Sequence, residues 1–190
     1  NTFVKNKSQI AMTAGANGSY GSTIKDYTFS FNGASQGGTV GRNFNVGDIT
    51  GNHTAKVVVT DSRGRKAERT VTAVILDYNP PKINNFNTWR DGNGVVKANV
   101  NCSISILGGK GGAWYVDSGG GTSWTNRNSG SLTSAAPSYL SNITVVGTYP
   151  DSSSATFRLR VEDAFGAGPT AASSVSTNKT ALSLYKDVGV

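Results

Sequence analysis

The stretch Ala155-Thr156-Phe157-Arg158-Leu159-Arg160-Val161-Glu162 alternates apolar and polar residues without a fault. That two-residue period recurs along the chain and constrains the fold more than any other feature. Successive side chains of a strand point to opposite faces, so strict alternation describes a strand covered by a core on one side and by water on the other. The same period puts Ile10, Met12 and Ala14 on one face, and Tyr27, Phe29 and Phe31 on another. It recurs in Ala55, Val57 and Val59, in Val71, Ala73 and Ile75, and in Val100, Cys102 and Ile104. Further strands are predicted at Ile143 to Val146 and near Ala172 to Ser176. No long stretch carries apolar residues at the i, i+3, i+4, i+7 spacing of a helix. The residues between the strands are largely Gly, Ser, Thr and Asn, which favour turns and compete with helical hydrogen bonding. The chain is predicted to be all-β.

Two copies of one fold are expected. Asn79-Pro80-Pro81 breaks any ladder, because proline lacks an N–H and holds the preceding residue extended. The pattern stops before it and restarts after it. Val59-Thr60-Asp61-Ser62-Arg63-Gly64 matches Val161-Glu162-Asp163-Ala164-Phe165-Gly166, each after an alternating strand and before another β-like segment. Asp caps its own turn and Gly supplies a positive φ, so the repeat marks equivalent turns. About seven short strands in about 80–100 residues is the profile of a Greek-key sandwich. The expected organisation is two tandem immunoglobulin-like β-sandwiches, residues 1–78 and 79–177, followed by a linker at 178–190 to a further region. The second sandwich is expected to carry a glycine- and aromatic-rich insertion at 108–130, outside the core. With no initiator Met and no apolar leader, the chain reads as a segment of a longer protein.

The residues leave little room for chemistry. Cys102 is the single cysteine and falls on the apolar side of its strand, which makes it a buried small hydrophobe rather than a nucleophile. His53 is the single histidine and sits in no nucleophile motif. Asp61, Asp151 and Asp163 stand where turns want Asp, and Glu68 and Glu162 have exposed-looking neighbourhoods. Asp91-Gly92-Asn93-Gly94 lacks the further ligands of a calcium loop and reads as a hairpin turn. Gly108-Gly109-Lys110-Gly111-Gly112 is followed by no Gly-Lys-Ser/Thr and no helix, which argues against a nucleotide cradle. No catalytic residue, metal or cofactor is expected, and no apolar run approaches the ~20 residues of a membrane span.

Two clusters are candidates for binding. Trp114, Tyr115 and Trp124, with Asn126 and Arg127 nearby and Trp89-Arg90 upstream, combine aromatic faces with hydrogen-bonding groups suited to sugar rings. Arg63, Arg65 and Lys66, with Arg69, form a basic hairpin. The net charge of +7 and pI of 9.6 are spread along the chain. A diffuse positive field favours anionic surfaces such as phosphate-bearing wall polymers, and no motif singles out nucleic acid.

Several segments resemble a family of phage minor structural proteins, the siphovirus tail proteins of Gram-positive hosts. They are Phe3-Val4-Lys5-Asn6-Lys7-Ser8, Gly18-Ser19-Tyr20-Gly21-Ser22-Thr23-Ile24-Lys25-Asp26-Tyr27, Val59 to Arg65, Asp77-Tyr78-Asn79-Pro80-Pro81-Lys82-Ile83, and Ala181 to Val190. The resemblance implies immunoglobulin-like spacers in a tail or host-adhesion protein of the virion, with other tail proteins as partners. It supplies no enzymatic activity and no set of ligand-binding residues. Alternative expectations are a carbohydrate-binding module for bacterial cell-wall polysaccharide and, more distantly, a cell-wall hydrolase.

Overall fold

A computed structural model describes residues 1–150 and 152–177. The linker expected at 178–190 and the turn role expected of Asp151 lie outside the described residues. The chain divides into two compact units, Asn1–Tyr78 and Asn79–Val190, each with its own hydrophobic core.

The first unit contains β1 (Thr2–Val4), β2 (Gln9–Thr13), β3 (Ile24–Phe31), β4 (Ala34–Gly38), β5 (Gly41–Asn45), β6 (Gly51–Asp61) and β7 (Lys66–Leu76). They form a five-stranded sheet in the order β1-β7-β6-β3-β4 and a two-stranded sheet of β2 and β5. In immunoglobulin lettering these are A-G-F-C-C′ and B-E, with β1 parallel to β7 and the remaining pairs of the larger sheet antiparallel. The alternating residues Tyr27, Phe29 and Phe31 face Ile10 and Phe44 across the sandwich, and Ala73 and Ile75 join them from β7. Asn32 and Gly33, at φ 48° and 80°, make the tight β3–β4 turn. An Asn-Gly pair suits it because both central residues of such a hairpin need positive φ.

The second unit contains β8 (Lys82–Arg90), β9 (Val95–Ser103), β10 (Gly112–Gly120), β11 (Ser123–Leu132), β12 (Ser138–Thr148), β13 (Ala155–Asp163) and β14 (Gly166–Val175). Its sheets run β11-β10-β13-β14 and β12-β9-β8, which is C′-C-F-G against E-B-A. The two units therefore share one seven-strand topology and differ in their first strand. That strand joins the last strand in the first unit and pairs antiparallel with the second strand in the second. Val100, Cys102, Ile104, Phe157, Leu159 and Val161 are all in the second core.

The structure corrects the reading of residues 108–130. They are no insertion: most of them form β10 and β11, two strands of the main sheet. Their glycines make room for packing. A Cβ on Gly130 would lie 2.7 Å from the indole Nε1 of Trp114, and one on Gly112 would lie 2.0 Å from the carbonyl oxygen of Glu162. Glycine here permits a large ring and a neighbouring backbone to close in, rather than marking a floppy tip. The strands β4, β5 and β8 also carry no clean alternation. In β5 only Phe44 points into the core, and in β8 a register shift between Ile83 and Asn85 puts Ile83 and Phe86 against the core at a spacing of three.

Candidate binding surface

The repeated turn is built alike in both units. Between β6 and β7, Asp61 Oδ1 accepts the N–H groups of Arg63 and Arg65 at 3.0 and 2.9 Å, and Gly64 closes the turn at φ 81°. Between β13 and β14, Asp163 Oδ1 accepts the N–H of Phe165 at 2.8 Å, and Gly166 stands at φ 98°. Asp91 repeats the device between β8 and β9, accepting from Asn93 and Val95 at 2.9 and 3.0 Å. Its Asp-Gly-Asn-Gly stretch is a hairpin turn.

This turn also absorbs the basic hairpin. Arg65 donates its Nε to Asp61 Oδ2 at 2.8 Å and its Nη2 to Ser22 Oγ and the carbonyl of Ser19 at 2.9 and 3.0 Å. Arg63 Nη2 donates to the carbonyl of Tyr20 at 2.7 Å. Both guanidiniums, though exposed, thus pin the β2–β3 loop to the β6–β7 turn. Burial pushes the carboxyl of Asp61 up, but hydrogen bonds from Arg65, Ser22 and Arg63 outweigh it and hold it at about 2. Lys66 and Arg69 lie exposed on β7. Upstream in the second unit, Arg90 is likewise structural: it donates to the carbonyls of Tyr149, Ser153 and Ser176 at 2.8, 2.5 and 3.2 Å.

The aromatic cluster divides between the two faces of the β11-β10-β13-β14 sheet. Trp114 points inward, 6% exposed, and is a core residue beside Val116, Leu159 and Val161. Tyr115 and Trp124 are half-buried on the outward face. There the alternation of β13 presents Arg158, Arg160 and Glu162 on the same side. The Arg158 guanidinium lies 4.4 Å from the Trp124 ring centre, and that of Arg160 lies 4.2 Å from the Tyr115 ring centre. Asp117 stands between the two cations. Its Oδ2 accepts from Arg158 Nη2 at 2.7 Å and Nε at 3.2 Å, and lies 3.8 Å from Arg160 Nε. Arg160 Nη1 also pairs with Glu162. The Asp117 side chain is 3% exposed, sealed beneath the arginines that neutralise it. Aromatic rings and cations alternate across this face, each held by a neighbour.

Arg127 takes a different position from the one its spacing suggests. The β10–β11 register shifts between Val116 and Asp117, leaving Arg127 as the unpaired residue of a bulge. Its Nε donates to Ser118 Oγ at 2.6 Å, at the edge of an open pocket of ≈ 550 Å³. Ser123, Thr125, Ser154, Thr156 and Ser174 contribute hydroxyls to the lining. Ser123 and Thr125 flank Trp124 in β11, so pocket and aromatic face share a strand. Asn126 is exposed beside them. Of the residues singled out for binding, the structure sets Tyr115 over Arg160 and Trp124 over Arg158 on the outward face, places Arg127 in the pocket lining, and removes Trp114 to the core. Arg158, Arg160 and Asp117 escaped the sequence reading. The signal was present: two arginines on the outward side of an alternating strand two residues apart.

A family described as siphovirus protein of unknown function (DUF859) matches residues 1–111. No curated protein matches the chain. Among solved structures, the chain is similar to a Bacteroides ovatus mixed-linkage glucan utilization locus protein, SGBP-B, in complex with a mixed-linkage heptasaccharide, at 16% identity and a TM-score of 0.32. The alignment covers 92% of this chain and 42% of that one, so the chain spans less than half its length. It is also similar to the D00-D0 domain of intimin, at 10% identity and a TM-score of 0.33, over 91% of this chain and 92% of that one. A third is the FN1–FN3 region of chicken CNTN1, at 12% identity and a TM-score of 0.37, over 94% and 65% of the respective chains.

Proposed function

The chain belongs to the siphovirus protein family that its residues 1–111 match, and from that premise we propose that it is a spacer and adhesion segment of the phage tail. The observation that carries the reading is the duplication: a siphovirus protein devotes its chain to one seven-strand sandwich built twice. Such sandwiches hold their shape through a packed core and cross-strand pairs, and serial copies cover distance without moving parts. In this reading the chain holds a host-recognition surface away from the particle, acts outside the cell and turns over no substrate. Gold-labelled antibody to the 190-residue chain is expected to decorate the tails of purified virions in electron micrographs. Decoration of capsids alone would overturn the assignment. Release of reducing ends or peptides from purified host walls incubated with the chain would overturn its non-enzymatic part.

A second reading, that the segment itself grips cell-wall polysaccharide, is favoured by the outward rings of Trp124 and Tyr115 and by a hydroxyl-lined pocket at Arg127 that shares strand β11 with Trp124. Half-exposed rings offer apolar faces to sugars, and Arg127 with its serine and threonine neighbours offers hydrogen bonds to hydroxyls or phosphates. Binding per copy is weak in this reading and gains strength from multivalent display on the virion.

A further inference from the structure

The first unit has an open seam where the second is closed. Strand β2 pairs with β5 on one side only, and among the described residues no strand lies on its other side. Ala14 donates its N–H to Val40 and Val46 donates to Ser8, so the even-numbered residues of β2 bond toward β5. The backbone groups of Gln9, Ala11 and Thr13 point the other way, along the open edge. Beside that edge runs an apolar groove of ≈ 530 Å³ between the two sheets, with Met12, Val57, Val59 and Val71 in its lining.

The second unit shows what fills this place. Aligned by the repeated turn, Val57 and Val59 correspond to Leu159 and Val161, and Val71 corresponds to Ser173. Leu159 and Val161 are fully buried, whereas Val57 and Val59 are only partly buried and Val71 is 44% exposed. The difference is β8. It pairs antiparallel with β9, the counterpart of β2, and Ile83 and Phe86 pack against the core. Thr88 bonds Ser173 Oγ through its N–H and its Oγ1, both at 2.9 Å. In the first unit the corresponding strand, β1, is committed to β7 instead.

We propose that the open seam of the first unit accepts one extended strand from another polypeptide, running antiparallel to β2. Its backbone pairs with Gln9, Ala11 and Thr13, and every second side chain is a medium-sized apolar group that covers Val57, Val59 and Val71. Main-chain hydrogen bonds then supply the attachment and the groove selects the alternation. An edge strand left with free donors and acceptors beside apolar surface is a template for this pairing.

The 190-residue chain is titrated with a peptide of eight alternating valine and threonine residues, flanked by lysines for solubility, and amide hydrogen exchange is followed residue by residue. The expected result is that the Ala11 and Thr13 amides slow by about tenfold or more, while Ile10 and Met12 change by less than about twofold. A matched peptide with serine in place of valine is expected to leave the rates unchanged. Ala11→Pro, which removes an outward N–H at an edge position that tolerates proline, is expected to abolish the slowing. Val71→Lys, at an already exposed position, is expected to weaken it independently. Slowing by both peptides alike, slowing confined to other strands, or no slowing overturns the proposal. Protection of Ala11 and Thr13 that grows with protein concentration and no peptide overturns it too, by identifying a second copy of the chain as the occupant.

Discussion

At the residue scale, the side chains that most resembled ligand-binding groups fall into two kinds. Trp114 fills the core, so Trp114→Ala is expected to cost the second unit about 3–5 kcal/mol, read from urea denaturation. Trp124 lies on the outward face against Arg158, so Trp124→Ala is expected to cost under about 1 kcal/mol. If the polysaccharide reading holds, Trp124→Ala with Arg127→Ala weakens wall binding without unfolding the chain. Binding also falls as salt rises, because the +7 charge attracts anionic polymers through a screened field. Cys102 is fully buried and burial pushes its thiol up. Thiol reagents are expected to label it in denaturant and barely in the native chain. Asp61 carries a pH signature. Its folded carboxyl, at about 2, lies below the ordinary 3.8, so its stabilisation is full above about pH 4 and is lost as pH falls toward 2. The stability difference between the native chain and Asp61→Asn is therefore expected to shrink between pH 4 and pH 2, measured as urea midpoints.

At the scale of elements, the strand pair β10–β11 shows why composition misled where geometry did not. Gly, Ser, Thr and Asn dominate residues 108–130, and a reading by composition makes them a loop. In the fold, Gly130 faces Trp114 across the strand pair and yields its side-chain volume to the indole. Gly130→Ala is expected to destabilise the second unit by about 1–3 kcal/mol through overpacking, checked by denaturation. Turns were far more legible than these strands. The Asp-x-x-Gly pairs at Asp61 and Asp163 specify their turns by local hydrogen bonding, which depends on residues within four positions.

At the scale of the whole molecule, two separate cores imply two separate unfolding events. Calorimetry is expected to resolve two transitions, with Phe157→Ala lowering one and Phe29→Ala lowering the other. A single transition shifted equally by both variants would contradict independent cores. Both phenylalanines are fully buried, and the variants are expected to cost about 3–5 kcal/mol each.

Alternation determined the β class, the inward sets in β3, β9 and β13, and the buried thiol, because a period of two is a property of one strand alone. Val57, Val59 and Met12 were expected in the first core from the same pattern, and they pack only at its margin. Their coverage depends on which partner β1 chooses, and that choice lies between strands far apart in sequence. Likewise, the separation of Trp114 from Tyr115 and Trp124, the enlistment of Arg63 and Arg65 as loop ties, and the Arg158–Asp117–Arg160 array arise only when strands pair in register. Local periodicity says which residues share a face. Only the closure of one sheet over another says whether that face is core, surface or an open seam.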